Sequence, residues 1–426
     1  MKLTVPAFKT ALGKSHPIVI SLFAAIAAFC TYSCMYAFRK PFTAGTFEGI
    51  EYWGVSYKVI LVISQLLGYT LSKFAGIKII AEMKGSKRAI SIIGLILTSW
   101  VALLLFAVVP HPYNIVFLFV NGIPLGMVWG LVFAYLEGRR TTEFMGSVLA
   151  VSFIFASGFV KSVGKTLMSD YGISEFWMPF ATGAIFVLPM LLFVFLLEQI
   201  PDPSQQDVDL RTERKPMTGE ERRDFVKTYL LGLVALVVAY VMLTVIRDFR
   251  DNFMADVWKE LKVDGAAVFT QTETWISLGI LLIMSLLAIF KSNHKALMVN
   301  HYIIIAGFVL AGVSTYAYVH QMISPVVWMT LNGMGLYMGY VPFNALFFER
   351  LIAAARKPAN VGFLIYIADS FGYLGSIGIN LYKEFGDKNI TYHQFLINAL
   401  YIISFLGIAL MGISLIYFNR KIEKHA

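Results

Sequence analysis

Charge is scarce in this sequence. Asp, Glu, Lys and Arg make up only 14% of its 426 residues, against roughly 25% in a soluble domain. With 58% hydrophobic residues, the chain has too little polar surface to stay in water. A membrane protein is expected. Cysteine is nearly absent: Cys30 and Cys34 stand one helical turn apart in the first apolar run and read as small packing residues, not as metal ligands. There is no H-E-x-x-H pattern, no Walker-type Gly-rich Lys loop and no nucleophile–base pair. No catalytic residue, metal or cofactor is therefore expected, and no enzyme activity. The net charge of +9 does not point to nucleic acid, because the cations lie in short loops between apolar runs, as membrane topology requires. The first apolar run is long and lacks a small-residue cleavage site, so it reads as a span and not as a leader.

What the chain has in plenty is long apolar runs. About twelve meet the ~20-residue length that a membrane helix needs. Their limits are 17–46, 55–80, 88–110, 113–137, 144–168, 177–199, 228–254, 268–290, 296–319, 324–349, 360–382 and 393–418. Backbone groups facing lipid must be paired within the segment, so these are helices. Alternate loops carry the Lys and Arg: Lys84, Lys87 and Arg88; Arg139 and Arg140; Lys291 and Lys295; Arg350, Arg356 and Lys357. The loops near residues 111, 172 and 321 carry none. The positive-inside rule places both termini in the cytoplasm. The one long charged stretch, "PDPSQQDVDLRTERKPMTGEERRDFVK", reads as a cytoplasmic linker. The expected division is 1–199 as one six-helix bundle, 200–227 as linker and 228–426 as a second bundle.

The two halves repeat. "NGIPLGM" at 121 returns as "NGMGLYM" at 332, "GFVKSVG" at 158 as "GYLGSIG" at 372, "KGSKRA" at 84 as "KSNHKA" at 291, and Arg39 as Arg247. The order is kept at a near-constant spacing of about 210 residues, which points to duplication. Two parallel six-helix repeats resemble the plan of the major facilitator superfamily, in which a solute binds between the halves and the halves rock.

Charges inside a membrane span are costly and normally face a cavity or a partner. Tyr32, Tyr36 and Arg39 share one face of the first helix, and Tyr240, Thr244 and Arg247 share one face of the seventh at the same spacing. Two guanidiniums facing one cavity would repel each other unless an anion sat between them, and their donor forks suit carboxylate or phosphate. The plainer reading is that each arginine ends a helix and snorkels to the interface. Lys73 and Lys161 would add positive potential, whereas Lys165 is closer to a helix end. Asp369, deep in the eleventh helix, would balance a cation or carry a proton. Asp248, Arg250 and Asp251 would form an outer gate or a solvated helix end. Glu137 and Glu349, beside Arg139 and Arg350, would latch an inner gate or lie as surface charge.

"YAFRKPF", "LSKFAG" and "VIRDFRDNFMADVWKEL" resemble stretches of the organophosphate:phosphate antiporter family, the glycerol-3-phosphate and hexose-phosphate transporters. That resemblance implies that Arg39 and Arg247 bind a substrate phosphate, with Lys73 nearby. The loop "GIKIIAEMKGSKRA" has Glu82 but lacks the family's Asp-Arg pair, and the family's helix-five histidine has no clear match, so the chain resembles a divergent relative. The expectation is a monomeric, multi-pass protein of the cell (inner) membrane that exchanges a small anionic solute, a phosphorylated metabolite or phosphate, by alternating access. The rivals are a proton-coupled carboxylate symporter using Asp369 and a membrane sensor that binds without transporting.

Overall fold

The computed structural model describes residues 4–81, 87–139, 141–204, 207, 219–287, 289–290, 292–355, 361–386 and 390–423. Glu82, Lys84, Arg140, Lys291, Arg356, Lys357 and the linker residues 205–206 and 208–218 lie outside them. The first half contains α1 (Pro6–Gly13), α2 (Pro17–Tyr36), α3 (Tyr57–Ala81), α4 (Arg88–Val108), α5 (Ile115–Phe133), α6 (Thr142–Ser169) and α7 (Met178–Glu198). The second contains α8 (Gly219–Asn252), α9 (Met254–Glu260), α10 (Ala267–Leu287), α11 (Asn293–Val319), α12 (Pro325–Pro342), α13 (Phe348–Ala355), α14 (Val361–Phe385) and α15 (Tyr392–Glu423). Among the described residues, nine helices are long and apolar enough to cross a membrane. Three further long elements complete the twelve: α3, α14 and α12 with its continuation. They carry polar groups such as Lys58, Lys73, Asp369 and Lys383, or are broken at Pro342. Large apolar side chains such as Leu188 and Phe405 point outward and are three-quarters exposed, as lipid-facing residues are.

The chain divides into two compact units. Unit 1 is Met1–Arg211 with Asn252–Lys259 and Asp264–Thr274; unit 2 is Thr212–Asp251, Glu260–Val263 and Trp275–Ala426. Two short pieces that follow α8 in sequence thus fold with the first half.

Three helix limits differ from the sequence expectation. The first span ends at Tyr36, not near 46. Pro41 lacks an N–H and disfavours helix in the residue before it. The chain leaves α2 through turns in which Arg39 N and Lys40 N both donate to the Tyr36 carbonyl, then makes a 3-10 turn, Pro41–Ala44. The seventh helix begins at Gly219 and bends at Tyr229, where φ is −115° and ψ 18°. The tenth gives way after Pro342 to one wide π turn, Phe343–Phe347, before α13. Single π turns inside helices often mark functional positions, and this one carries Asn344.

Between α2 and α3, β1 (Glu51–Tyr52) and β2 (Val55–Ser56) pair antiparallel, joined by Trp53 and Gly54 at φ 54° and 73°. Positive φ at both positions makes the tight hairpin turn that matches strand twist.

Small residues set the closest helix crossings. In unit 1, a Cβ on Gly68 would stand 2.1 Å from the Phe119 carbonyl oxygen, and one on Gly122 2.3 Å from that of Gln65. Backbones of α3 and α5 meet there, as small residues permit in membranes. In unit 2, Arg250 is 1% exposed, and donates from Nε to Asn332 Oδ1 at 3.0 Å and from Nη2 to the Met329 carbonyl at 2.9 Å. This ties α8 to α12. Asn332→Leu removes one charge-assisted bond to a buried guanidinium and should cost ~1–3 kcal/mol, read as a lower thermal midpoint of the purified protein with its helical signal retained.

Candidate functional site

In unit 1 the helix end places Arg39. Its guanidinium carbon lies 4.0 Å from the centre of the Tyr69 ring and 5.7 Å from that of Tyr36. The Lys73 ammonium is 5.6 Å from the same Tyr69 ring. Attraction to the negative face of an aromatic ring holds such cations in place. The carbonyls freed where α2 stops are satisfied internally: Asn121 Nδ2 donates to the Phe38 carbonyl at 3.0 Å, and Gln65 Nε2 donates to that of Arg39 at 2.9 Å. Gln65 also donates to Asn121 Oδ1 at 2.7 Å. A helix can end inside an apolar bundle only if its last carbonyls find such donors. Tyr32 packs edge-on against Tyr36 at 5.6 Å and against Trp129 at 4.9 Å.

Unit 2 repeats the theme. The Arg247 guanidinium carbon lies 4.2 Å from the Tyr340 ring centre and 6.0 Å from that of Tyr337. Tyr240 stacks on Tyr340 at 5.5 Å. Its hydroxyl donates to Asp369 Oδ1 at 2.5 Å and accepts from Asn344 Nδ2 at 3.3 Å. Thr244, which shares the stripe in sequence, turns its hydroxyl to the Tyr240 carbonyl at 2.8 Å and is buried against Gly372. It packs the helix and offers no open hydroxyl.

Each unit therefore holds an arginine over a tyrosine and has an aromatic pair nearby, but in unit 2 the tyrosine under the arginine, Tyr340, is itself one of the pair. The pairs are related by the repeat: Trp129 stands eight residues after Asn121 and Tyr340 eight after Asn332, and they meet Tyr32 and Tyr240 respectively. Tyr69, Trp129, Tyr340 and Asn344 were missed by sequence reasoning. The repeat could have found Trp129 and Tyr340 once the asparagine motifs were aligned.

The other candidates lie elsewhere. Lys161 is fully buried on α6, on the face that meets the start of α10. Lys165 is exposed. Asp248 and Asp251 are both buried, like Arg250, so this stretch is not a solvated helix end. Glu137 is half-buried in the turn after α5, and Glu349 is exposed in the first turn of α13. The arginines next to them bond elsewhere: Arg139 to the Pro201 carbonyl and Arg350 to Asn293 Oδ1 at 2.8 Å. Among the described residues there is no group of three or more His, Cys, Asp or Glu placed to hold a metal.

The model of a protein family described as a family of unknown function, DUF5690, matches residues 41–421. No curated protein matches the chain. Among solved structures, the crystal structure of a D-xylose-proton symporter superposes with a TM-score of 0.59 at 14% identity, over 94% of this chain and 97% of that one. The likeness carries the fold: the chain is an all-α, multi-pass membrane protein of the major facilitator architecture.

Proposed function

The chain belongs to DUF5690, a family of unknown function, and we propose that it is a secondary transporter of a small anionic solute, a phosphorylated metabolite or phosphate. One observation carries the reading: two arginines related by the internal repeat, Arg39 and Arg247, are each held over a tyrosine ring at 4.0 and 4.2 Å. Keeping a guanidinium in a membrane bundle is costly and is repaid where it meets an anion. The planar fork gives an oxyanion two parallel charge-assisted bonds. Arg39, Arg247 and Lys73 are the groups that bind the oxyanion. Tyr32, Tyr36 and Tyr240 give the solute hydroxyl contacts.

Exchange follows from charge. A guanidinium left without its anion is an uncompensated charge in the bundle, so the loaded carrier changes conformation more readily than the empty one. The resemblance of "YAFRKPF" and "LSKFAG" to organophosphate:phosphate antiporters supports the same solute class. The basic loops support cytoplasmic termini, and the cell membrane is the expected site. Counterflow tests the reading: proteoliposomes loaded with phosphate or an organophosphate should take up the labelled solute faster than empty ones. Equal rates from both would argue against exchange.

A second reading is proton-coupled symport of a carboxylate. It is favoured by the bond from Tyr240 to Asp369, which ties a titratable group to the ring stacked beneath Arg247. Under it, Asp369→Asn loses uptake driven by a proton gradient and keeps counterflow. Gradient-driven uptake that survives the substitution would remove this reading.

A further inference from the structure

Unit 1 grips the two pieces that follow α8 with charges that the anion site does not use. Lys58, in the first turn of α3, is 1% exposed and donates to Asp256 Oδ2 at 2.5 Å and to the Thr43 carbonyl at 3.0 Å. Its ammonium also lies 5.7 Å from the Phe253 ring centre. Lys40 donates to Asn252 Oδ1 at 2.7 Å, and Lys259 pairs with Glu48.

A second contact lies along α6. A Cβ on Gly158 would stand 2.3 Å from the Phe269 carbonyl oxygen and 2.7 Å from the side chain of Glu273. One turn on, Ser162 donates to the Ala266 carbonyl at 2.6 Å and accepts from Thr270 N at 3.1 Å. Lys161 sits between these contacts, fully buried, and Glu273 is buried as well. Near Lys58, Glu175 attracts its ammonium and Lys161 repels it.

We propose that Lys58 and Asp256 form a charge latch that holds the end of α8 and the start of α10 against unit 1. The purpose of the latch rests on the transport reading, but its opening can be measured without any solute.

Chain continuity gives the latch its role. Asn252–Lys259 and Asp264–Thr274 belong to unit 1, while the helix segments they continue, up to Asp251 and from Trp275, belong to unit 2. A conformational change that moves unit 2 pulls on these two pieces. A buried ion pair suits a catch that must release. Its Coulomb gain is nearly cancelled by the cost of drying both ions, so water returns most of that cost when the pair parts. Removing one partner does the opposite. It leaves a lone charge in the dry state and favours the conformation in which water reaches it.

The test uses the full chain in intact cells, with Cys30 and Cys34 replaced by alanine and Ser162→Cys as reporter. A membrane-impermeant maleimide is applied from outside. With the latch intact the reporter labels slowly. Lys58→Met and Asp256→Asn should each raise the labelling rate at least tenfold. The charge swap, Lys58→Asp with Asp256→Lys, should return it toward the parent rate. Single variants that label at the parent rate, or a swap that labels as fast as the singles, would overturn the latch. If one single variant does not accumulate, the other single variant and the swap decide by the same outcomes. Labelling needs no ligand, so a failed transport assay leaves this result standing.

Discussion

Arg247→Lys is expected to weaken oxyanion binding about ten- to a hundredfold, and Arg39→Lys to do the same, because a charge-assisted hydrogen bond contributes ~1.5–3 kcal/mol. Lysine keeps the charge, so a loss would isolate geometry. The ammonium is a compact point charge that cannot give two parallel bonds to one oxyanion, and it cannot lie flat on a ring as a guanidinium does. Arg39 and Arg247 both stand over a ring, those of Tyr69 and Tyr340. Titration of the purified variants with phosphate and organophosphates, beside uptake in proteoliposomes, reads the effect. Variants that bind and transport like the parent would remove the arginines from the site.

Gly122→Ala is expected to cause a large loss of stability. The added methyl would stand 2.3 Å from the Gln65 carbonyl oxygen and 2.9 Å from the Tyr69 amide nitrogen. Both obstacles are backbone, so no rotamer change relieves the clash and α3 must move away from α5. Overpacking of this kind costs ~1–3 kcal/mol or more. The move also displaces Gln65 and Tyr69, which hold the Arg39 carbonyl and guanidinium. Gly94→Ala is the control: nothing lies within 4 Å of its added Cβ, so it should be neutral. A thermal midpoint for Gly122→Ala equal to that of Gly94→Ala would mean that the α3–α5 crossing is not tight.

Much of the fold was legible because hydropathy reports lipid directly. A run such as 88–110 has one economical reading in a bilayer, and the spacing of Arg39 from Arg247 exposed the duplication. Helix ends were harder. Pro41 signalled the end of the first span, but Arg39 had been placed inside the helix because the stripe Tyr32–Tyr36–Arg39 invites extrapolation. That the arginines stand over these rings was not legible, although the repeat could have drawn attention to Tyr340. Tyr69 and Tyr340 stand on helices whose neighbours are set by packing, and periodicity reports only which face is apolar. The same limit hid Lys58. At the mouth of an apolar run it looks like any interfacial lysine, and its partner, Asp256, lies 198 residues away. Lys161 was read as adding positive potential to the solute site, and its burial was not legible: the crossing at Gly158 and Phe269 is invisible until the fold brings the two together.

A thermal-shift panel of the purified protein tests the central claim most directly. The ligands are phosphate, organophosphates and carboxylates, added to the parent and to the Arg39→Lys, Arg247→Lys double variant. At least one oxyanion should raise the midpoint of the parent, since a ligand that binds the folded state stabilises it by mass action, and that rise should vanish in the double variant. A panel in which no oxyanion shifts the parent, or in which the shift survives loss of both arginines, would contradict the account.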